Sequence, residues 1–376
     1  MAKIAIFWHS FPGYVTKCIE ELAANDKVEI IAHCLGAGTS HSYIDRLQRH
    51  DNINIISGTG QGAVVDPRDI IASCVAFHPD IALIALTRFG LYASMARELK
   101  KLGALVVGVC DHFWKGTWKD YATMAAARLG VYSSYEAILV PGALGRIYAG
   151  KLRFKQKSIF EGLYTCDTEL FQPVGLNRHQ DSQAEWPPVF LFVGQLIRRK
   201  GIDTLLEAYS RYRRAVFSPW ELWIVGKGAL EPLTRKVEGV KNLGFKSPQE
   251  VAEIMGQAGC LVIPSRIDHW GLIIHEATCA GLPILATQTC GASVELIQNG
   301  YNGYTFPPDD PLTLSDLMKC ISENGLAGAM GKRSLQMSSR YSSTLWAKRI
   351  LVDIPYILRG EPLIDMNNYS TSFQSL

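Results

Sequence analysis

The sequence predicts an α/β protein made of two doubly wound, Rossmann-like units, each a parallel sheet covered by helices on both faces. The chain has 376 residues, which exceeds what one hydrophobic core usually organises and suits two units of about 150 to 200 residues. Short apolar runs alternate with longer amphipathic runs, and this alternation restarts after a polar stretch near the middle. A hydrophobic content of 48% with 19% charged residues indicates a packed chain rather than a disordered one.

Six apolar runs of the first half are predicted to be strands, because buried parallel strands read as continuous apolar segments. They are residues 4–8, 28–32, 53–56, 80–85, 104–109 and 137–140. Helical patterns lie between them, as at 91–101, where apolar residues recur at three and four positions. The first unit is expected to span residues 1–168.

A domain linker is predicted where Phe171 and Pro173 are followed by the polar stretch 177–185. The second unit is expected to span 186–340. Its predicted strands are residues 189–193, 221–225, 260–264 and 283–286. The amphipathic stretch 344–358 follows the second sheet, and we expect it to be a helix that packs back on the first unit.

Charge and cysteine content narrow the partners and the compartment. A formal charge of +3 is small for this length and gives no support for a nucleic-acid partner. The basic runs 151–157 and 211–214 are either solvated helix ends or contacts for phosphates or an anionic membrane surface. Nine scattered cysteines favour a reducing compartment, and neither a signal peptide nor an apolar run of about 18 residues is visible. We therefore expect a cytoplasmic protein, with peripheral attachment at the inner membrane face as the alternative.

The most informative segment, 260–295, runs from a buried strand through an acidic loop into a helix. The loop contains Asp268 and Gly271, and the helix is predicted to begin near Leu272. Backbone N–H groups at a helix start carry the positive end of the helix dipole and suit a phosphate. A glycine there lets the phosphate approach closely. Asp268 and Glu276 stand eight positions apart, so one carboxylate can face each end of a bound diphosphate sugar.

This segment resembles the retaining glycosyltransferases of the GT-B fold, specifically family 4 (glycosyl transferases group 1), whose signature is an acidic residue, seven residues and then Glu. The resemblance implies two facing Rossmann-like units with a cleft between them. It also implies that Glu276 holds the nucleotide ribose, while Asp268 and the amides of Gly271, Leu272 and Ile273 address the donor sugar and phosphate. Asp268 stands where Glu is usual, which keeps the charge but changes the reach. Taken alone, Glu276 reads as an exposed surface residue; the family's order of elements around it favours the functional interpretation.

A second motif, FVGQLIRRKG, follows the first strand of the second half and contains Gly194. A glycine at a strand end followed by clustered cations suits a polyanion. In the family this turn usually reads Gly-Arg-Leu, with a Lys just before a Gly. Lys200 matches, but Gln195 occupies the usual Arg position, so Arg198 or Arg199 is expected to supply the second cation. The alternative for both arginines is a solvated loop.

Two shorter segments of the second half match the family's loops around the nucleotide base. The run VGKG contributes Gly226, and the run NLGFKS contributes Phe245 and Lys246. The resemblance implies that these residues bind the donor, while the alternative for each is an ordinary turn.

Two loops of the first half follow predicted strands at their carboxyl ends, where ligands of doubly wound sheets bind. The run HSFPG contains Gly13, a candidate for the donor phosphate, although many relatives carry a glycine pair there. The run CDHFW contains Asp111 and His112 beside aromatic residues, which suits a platform for an acceptor sugar. The alternative for His112 is a partly buried histidine in an ordinary turn.

These motifs together predict a retaining hexosyltransferase that moves a sugar from a nucleotide-diphosphate sugar to a glycan, lipid-linked or small-molecule acceptor. Its catalytic candidates are Lys200, Asp268, Arg199 and His112. No cofactor and no metal are implied, because Asp-x-Asp, His-Glu-x-x-His and zinc-spaced His and Cys residues are all absent from the sequence. The alternatives are a GT-B-fold nucleotide-sugar epimerase or hydrolase, and a non-catalytic GT-B binding subunit. A dinucleotide oxidoreductase is disfavoured, because GTGQG at 58–62 lacks the full fingerprint after the first strand.

Overall fold

The computed structural model describes residues 1–34, 46–57, 66–87, 90–180 and 185–364. The chain divides into two compact units, of which the first comprises Met1–Thr165 with Ser343–Leu376 and the second comprises Cys166–Ser342. The GTGQG run at 58–62 lies outside the described residues.

The described residues of the first unit form seven strands and five α-helices before the chain enters the second unit. The strands are β1 (Ala2–Trp8), β2 (Val28–Cys34), β3 (Ile53–Ser57), β4 (Ile81–Ala85), β5 (Leu105–Val109), β6 (Ala137–Val140) and β7 (Ile159–Glu161). The helices are α1 (Gly13–Ala23), α2 (Pro67–Phe77), α3 (Gly90–Lys101), α4 (Trp118–Arg128) and α5 (Ala143–Lys151). The strands pair in parallel in the order β3-β2-β1-β4-β5-β6-β7. The six predicted strands are confirmed, and the three-residue β7 was too short to stand out.

The central strands of this sheet are covered on both faces. Every residue of β4 and β5 is buried, so their uniformly apolar sequences fit a sheet between two helical layers. Helix α4 starts at a capping box, in which the Asp120 N–H donates to Thr117 Oγ1 (3.3 Å) and the Thr117 N–H donates to Asp120 Oδ2 (2.9 Å). The box fixes where the chain turns back after β5.

Outside residues 181–184, the second unit contains six strands and eight α-helices. The strands are β8 (Val189–Val193), β9 (Glu221–Val225), β10 (Val240–Gly244), β11 (Cys260–Ile263), β12 (Ile284–Thr287) and β13 (Gly303–Phe306). The helices are α6 (Thr168–Arg178), α7 (Ile202–Ala215), α8 (Glu231–Thr234), α9 (Pro248–Gln257), α10 (Leu272–Cys279), α11 (Gly291–Leu296), α12 (Pro311–Glu323) and α13 (Ala327–Ser338). The parallel order β10-β9-β8-β11-β12-β13 is that of a doubly wound nucleotide-binding sheet, with its topological switch point between β8 and β11.

The predicted linker differs from the structure. Residues 168–178 form α6, and the second unit begins at Cys166. Phe171 is buried, and α6 packs against α9 and α10. Burial of that apolar side chain outweighs the helix-breaking tendency of Pro173, which lies inside the helix. Residues 181–184 of the predicted linker lie outside the described ranges.

The segment after the second sheet belongs to the first unit. It forms α14 (Ser343–Lys348), a π-helical turn (Arg349–Asp353) and α15 (Ile354–Arg359). The hydroxyls of Ser343 and Thr344 donate to the Glu21 carboxylate on α1, at 3.2 and 2.9 Å. The stretch predicted as one helix over 344–358 is thus helical throughout, with a widened central turn.

The cysteines, the helix lengths and the basic run 211–214 can be compared with what the sequence predicts about compartment and membrane contact. The nine cysteines are all free thiols. Across the described ranges, no helix combines the length and the apolar character needed to cross a membrane. In the basic run 211–214, Arg211 pairs with Glu207 (3.0 Å) and Arg213 with Glu238 (2.9 Å), so these two arginines have carboxylate partners within the chain.

Candidate functional site

The start of α10 leaves its first-turn N–H groups without a side-chain cap. Gly271 precedes the helix with a φ of 87°, in the left-handed region where a side chain is strained. No side chain caps the helix, and its first residues, Leu272 and Ile273, are half-buried. The first-turn N–H groups of such a helix carry the positive end of its dipole. The start of α10 can therefore hold an anion.

Glu276 lies on α10 one turn further on and is half-buried, not an exposed surface residue. Burial raises the pKa of its carboxyl to about 7; His275 opposes this effect, while Cys279 and Asp167 add to it. Within the described part of the chain, the Glu276 carboxylate has no hydrogen-bond or ion-pair partner. A partly desolvated acceptor of this kind suits hydroxyl donors from a ligand.

Lys200 and Asp268 form an ion pair, although 68 positions separate them in sequence. Lys200 Nζ donates to Asp268 Oδ2, and the two side chains are 19% and 14% exposed. Gly201, directly after Lys200, has a φ of 70°, and a Cβ there would overlap the carbonyl oxygen of Pro264. Only glycine allows the loop after β8 to pack so closely on the end of β11, and this packing brings Lys200 to Asp268.

Arg266, which sequence reasoning missed, fastens these two loops together. Its backbone N–H donates to Arg199 O (2.9 Å), and its guanidinium makes two bonds to Asp203 (2.8 and 2.9 Å). Asp309 provides a second carboxylate at 2.6 Å. Arg199 in turn donates from Nη1 to Ile267 O (3.2 Å). Arg266 is therefore a positioning residue, whose carboxylate partners could not be inferred from the local sequence.

The other predicted donor-loop residues lie at the carboxyl ends of β8 and β9. The Gly194 N–H donates to Val225 O (2.9 Å), and the Gly226 N–H donates to Gly244 O (2.7 Å). Gly226 is buried, whereas Gln195 and Arg198 are exposed. With Lys200 and Asp268, these positions surround the switch point between β8 and β11, where doubly wound sheets bind ligands.

The two base-site candidates differ in their surroundings. Phe245 is 72% exposed, so its ring is available for stacking. Lys246 Nζ lies 2.8 Å from Glu250 Oε1, and Glu250 also completes the capping box of α9 with Ser247. Hydrogen bonds from Lys246 and Ser247 lower the pKa of Glu250 to about 2. In this structure Lys246 is therefore engaged by a carboxylate of its own helix end.

Two residues of α10 form a buried cluster with the first residue of the second unit, and the sequence analysis did not find it. Ligand-type atoms of Cys166, His275 and Cys279 lie within 4.8 Å of one another, and the two sulfurs are 3.6 Å apart. The Cys166 N–H donates to His275 Nδ1 (3.2 Å), which places the ring proton on Nε2, facing Ser338 O at 3.4 Å. Because both ring nitrogens already have hydrogen-bond partners, His275 has a structural role in the interior. It ties α10, and with it Glu276, to the start of the second unit.

The first unit contains a cavity of about 460 Å³ at the carboxyl ends of β1, β4 and β5. Asp111 and His112 line it, as expected for a ligand platform. Asp111 accepts a hydrogen bond from the Tyr164 hydroxyl (3.1 Å), and His112 Nδ1 lies 3.4 Å from Asp111 Oδ1. The His112 side chain is 55% exposed, so the partly buried alternative does not hold. Gly13 is the first residue of α1 and does not line this cavity among the described residues.

Solved structures of other proteins share this fold. Anabaena HepE in complex with UDP superposes with a TM-score of 0.71 at 15% identity, over 93% of this chain and 98% of that one. A sucrose-phosphate synthase from Thermosynechococcus elongatus superposes with a TM-score of 0.67 at 17% identity, over 93% and 97% of the two chains. At these identities the likeness shows the fold alone, which is the GT-B fold.

Sequence comparison gives the family. Residues 176–337 match the family model described as glycosyl transferases group 1. An uncharacterised glycosyltransferase of Methanocaldococcus jannaschii is 29% identical over 43% of this chain and 45% of its own length. A glycogen synthase of Mycobacterium tuberculosis is 26% identical over 57% and 56% of the two chains. The chain thus spans about half the length of the curated relatives it matches. The match to the glycosyl transferases group 1 model lies within the second unit, from its first helix to its last.

Proposed function

We propose that this protein is a retaining glycosyltransferase that moves a sugar from a nucleotide-diphosphate sugar to an acceptor hydroxyl without a metal ion. One observation carries the proposal. In the unit that matches the family, the Lys200–Asp268 pair and the start of α10 lie at the carboxyl end of a doubly wound sheet, and Glu276 follows on the same helix. Relatives named as glycosyltransferase and glycogen synthase support the same activity.

The proposed donor site uses the two ends of the diphosphate sugar differently. The pyrophosphate sits against the N–H groups that open α10, where the helix dipole favours negative charge. Glu276 accepts hydrogen bonds from the ribose hydroxyls, which offset the desolvation that raises its pKa. Gly194 and Gln195 contact the phosphates, and the exposed ring of Phe245 stacks on the base.

Catalysis in this proposal is mostly electrostatic. The bond between the anomeric carbon and the diphosphate oxygen breaks, and negative charge builds on the leaving diphosphate. Lys200, with Arg199 or Arg198, stabilises that charge in place of a divalent ion, each by about 2 to 4 kcal/mol if it acts like an oxyanion-hole donor. The acceptor oxygen bonds to the same face of the carbon, and its proton passes to the departing phosphate. Asp268 aims Lys200 and contacts the sugar; it forms no covalent adduct.

A binding screen followed by product analysis tests this function. Calorimetry or thermal shift with UDP, GDP, ADP and their sugars should show a ligand that stabilises the protein by mass action. UDP is the first probe, because HepE was solved with UDP and with UDP-glucose. Incubation with the donor and a mixture of acceptors, in the presence of EDTA, should yield a glycoside with the anomeric configuration of the donor.

Four outcomes would contradict the proposal in separate ways. A free sugar or an epimer formed from the donor alone indicates a hydrolase or epimerase. Binding of none of the nucleotides indicates a non-catalytic subunit. An inverted product refutes retention, and loss of activity with EDTA refutes metal independence.

A contact with an anionic membrane in the cytoplasm is a finer part of the proposal and suits a lipid-linked acceptor. Trp118 and Tyr121 on α4 are 75% and 53% exposed, with Lys119 between them in sequence. Exposed aromatic rings beside cations suit a lipid interface. Co-sedimentation with anionic vesicles but not with neutral vesicles is expected, and loss of that difference in Trp118→Ser places the contact on α4. Equal sedimentation with both vesicle types would contradict it.

A further inference from the structure

The cavity of the first unit differs from the proposed donor site in its charge. Rings of Trp8, Tyr14, Tyr132, Tyr148 and Tyr164 contribute to its wall. Among its described lining residues, Asp111 is the one carboxylate and neither a lysine nor an arginine is present; His9 and His112 are the other titratable groups besides the tyrosines and Cys110. The cavity is thus aromatic and carries an acidic group, whereas the donor site is built around cations and a helix start.

Asp111 is held in place by the aromatic wall. The Tyr164 hydroxyl donates to Asp111 Oδ2 (3.1 Å), and the rings of Tyr14 and Tyr164 meet edge to face at 5.2 Å. Burial raises the pKa of Tyr14 to about 12, so its hydroxyl stays neutral and adds no negative charge. This arrangement fixes the direction in which the carboxylate faces the cavity.

The carboxyl end of β1, which carries Trp8, is supported by buried side chains. The Tyr92 hydroxyl donates to Trp8 O (2.6 Å) and lies 3.3 Å from His33 Nδ1. Tyr92 and His33 are both buried. The aromatic wall is therefore built on ordered core residues.

This chemistry selects among acceptors. Flat aromatic faces match the C–H faces of a pyranose ring, and a fixed carboxylate accepts hydrogen bonds from neighbouring hydroxyls or from an ammonium group. A phosphate or carboxylate on the ligand would meet Asp111 as a like charge with no described lysine or arginine in the wall to offset it. Within about 6 Å, that repulsion corresponds to a penalty on the order of 10- to 100-fold in affinity.

We propose that this cavity binds the acceptor as a polyhydroxylated ring without an anionic group, and that Asp111 excludes phosphorylated and carboxylated acceptors. This rests on the proposed glycosyltransferase function and adds the class of acceptor. One relative is named D-inositol 3-phosphate glycosyltransferase and another glycogen synthase, so the names of the relatives leave this class open.

Direct binding to the whole 376-residue chain, without a donor, tests the proposal. The probes are methyl α-glucoside, glucosamine, glucose 6-phosphate and glucuronate, measured by saturation-transfer NMR at pH 7.5. The first two probes should bind, with glucosamine equal or tighter, and the two anionic probes should bind at least tenfold more weakly. An anionic probe that binds as tightly as the methyl glucoside overturns the proposal, and so does a failure of both uncharged and aminated probes at millimolar concentration.

Two variants separate the charge effect from a folding defect. Asp111→Asn should reduce severalfold the difference in affinity between methyl glucoside and glucose 6-phosphate. It should also remove any tighter binding of glucosamine. Thr123→Lys adds a cation to the cavity wall and should reduce the same difference while Asp111 stays in place. Asp69→Asn, an exposed change on α2 of the same unit, should change nothing. If both cavity variants melt like the wild type and still show the wild-type difference in affinity between the two probes, the role of Asp111 is refuted.

Failure of the inference about the acceptor can be distinguished from failure of the proposed glycosyltransferase function. Nucleotide binding is measured separately and depends on residues of the second unit. Turnover of a nucleotide sugar with a phosphorylated acceptor would overturn the inference about the cavity and leave the glycosyltransferase function standing. Binding of uncharged sugars without any nucleotide binding would support the inference about the cavity and overturn the glycosyltransferase function.

Discussion

Replacing Glu276 by Gln is expected to stabilise the folded protein at neutral and alkaline pH while it weakens donor binding. Burial raises the pKa of this carboxyl from 4.5 to about 7. Between these values the unfolded chain has lost the proton and the folded chain still holds it, so stability falls as the pH rises through this window and is constant above it. At 1.36 kcal/mol per pKa unit, the cost of the charged carboxylate above pH 7 is at most about 3 kcal/mol.

Urea denaturation of both proteins at pH 4.5 and pH 8 measures this difference. The Gln variant should match the wild type at the lower pH, because a neutral carboxyl and an amide are alike in size and charge. At pH 8 it should be more stable, by up to about 3 kcal/mol. Calorimetry with the nucleotide that binds the wild type should show about a 10- to 100-fold loss of affinity, as expected when a charged hydrogen-bond acceptor is removed.

The matched control is Glu253→Gln on the exposed face of α9, which should show neither effect. A Gln variant of Glu276 that is less stable than the wild type at pH 8 would refute the reasoning. That result would mean that the carboxylate is paired and structural. Retention of full nucleotide affinity would separately remove Glu276 from the donor site.

Other substitutions test the loops around Glu276. Lys200→Ala should lower kcat by about 100- to 1000-fold in a steady-state product assay. It should also lower the unfolding free energy by up to about 3 kcal/mol, because Asp268 loses its partner in a largely buried ion pair; a loss of stability without a loss of kcat would contradict a catalytic role. Gly201→Ala should cost about 1 to 3 kcal/mol in urea denaturation, because its φ of 70° is left-handed and the new Cβ meets Pro264 O; unchanged stability would show that the two loops do not pack as described. Asp268→Asn should weaken binding of the nucleotide sugar in calorimetry but leave binding of the nucleoside diphosphate equal or tighter, because a like charge near the phosphates is removed. Equal losses for both ligands would exclude a contact between Asp268 and the sugar.

The central strands of each sheet could be predicted from sequence, whereas three of the four edge strands, β7, β10 and β13, could not. Strands β4 and β11 are buried along their whole length, so they appear as continuous apolar runs. Edge strand β10 has no fully buried residue, and edge strand β13 mixes buried with half-buried positions. An edge strand faces solvent on one side, and its polar residues hide the pattern. The same limit applies to α6, whose helix rests on tertiary burial of Phe171 rather than on local propensity.

The candidate site divides in a similar way. The family's order of motifs led to Lys200 and Asp268, and the structure brings the two together. Arg266 and the cluster of Cys166, His275 and Cys279 were missed, because their partners are distant in sequence and no motif marks them. A short sequence motif identifies the functional residues that lie within it. It cannot identify residues whose role depends on contacts with distant parts of the chain.

This division has a chemical cause. A diphosphate is the same group in every nucleotide-diphosphate sugar, and the proposed donor site meets it with features that local sequence can encode: a glycine at a helix start, a strand-end turn and a lysine before a glycine. An acceptor varies from one enzyme to another, and its cavity is lined from several strand ends at once, so its rings come from positions as distant as Trp8 and Tyr164. The acceptor class therefore has to be deduced from the charge and shape of the assembled cavity, and the Asp111 variants test that step most directly.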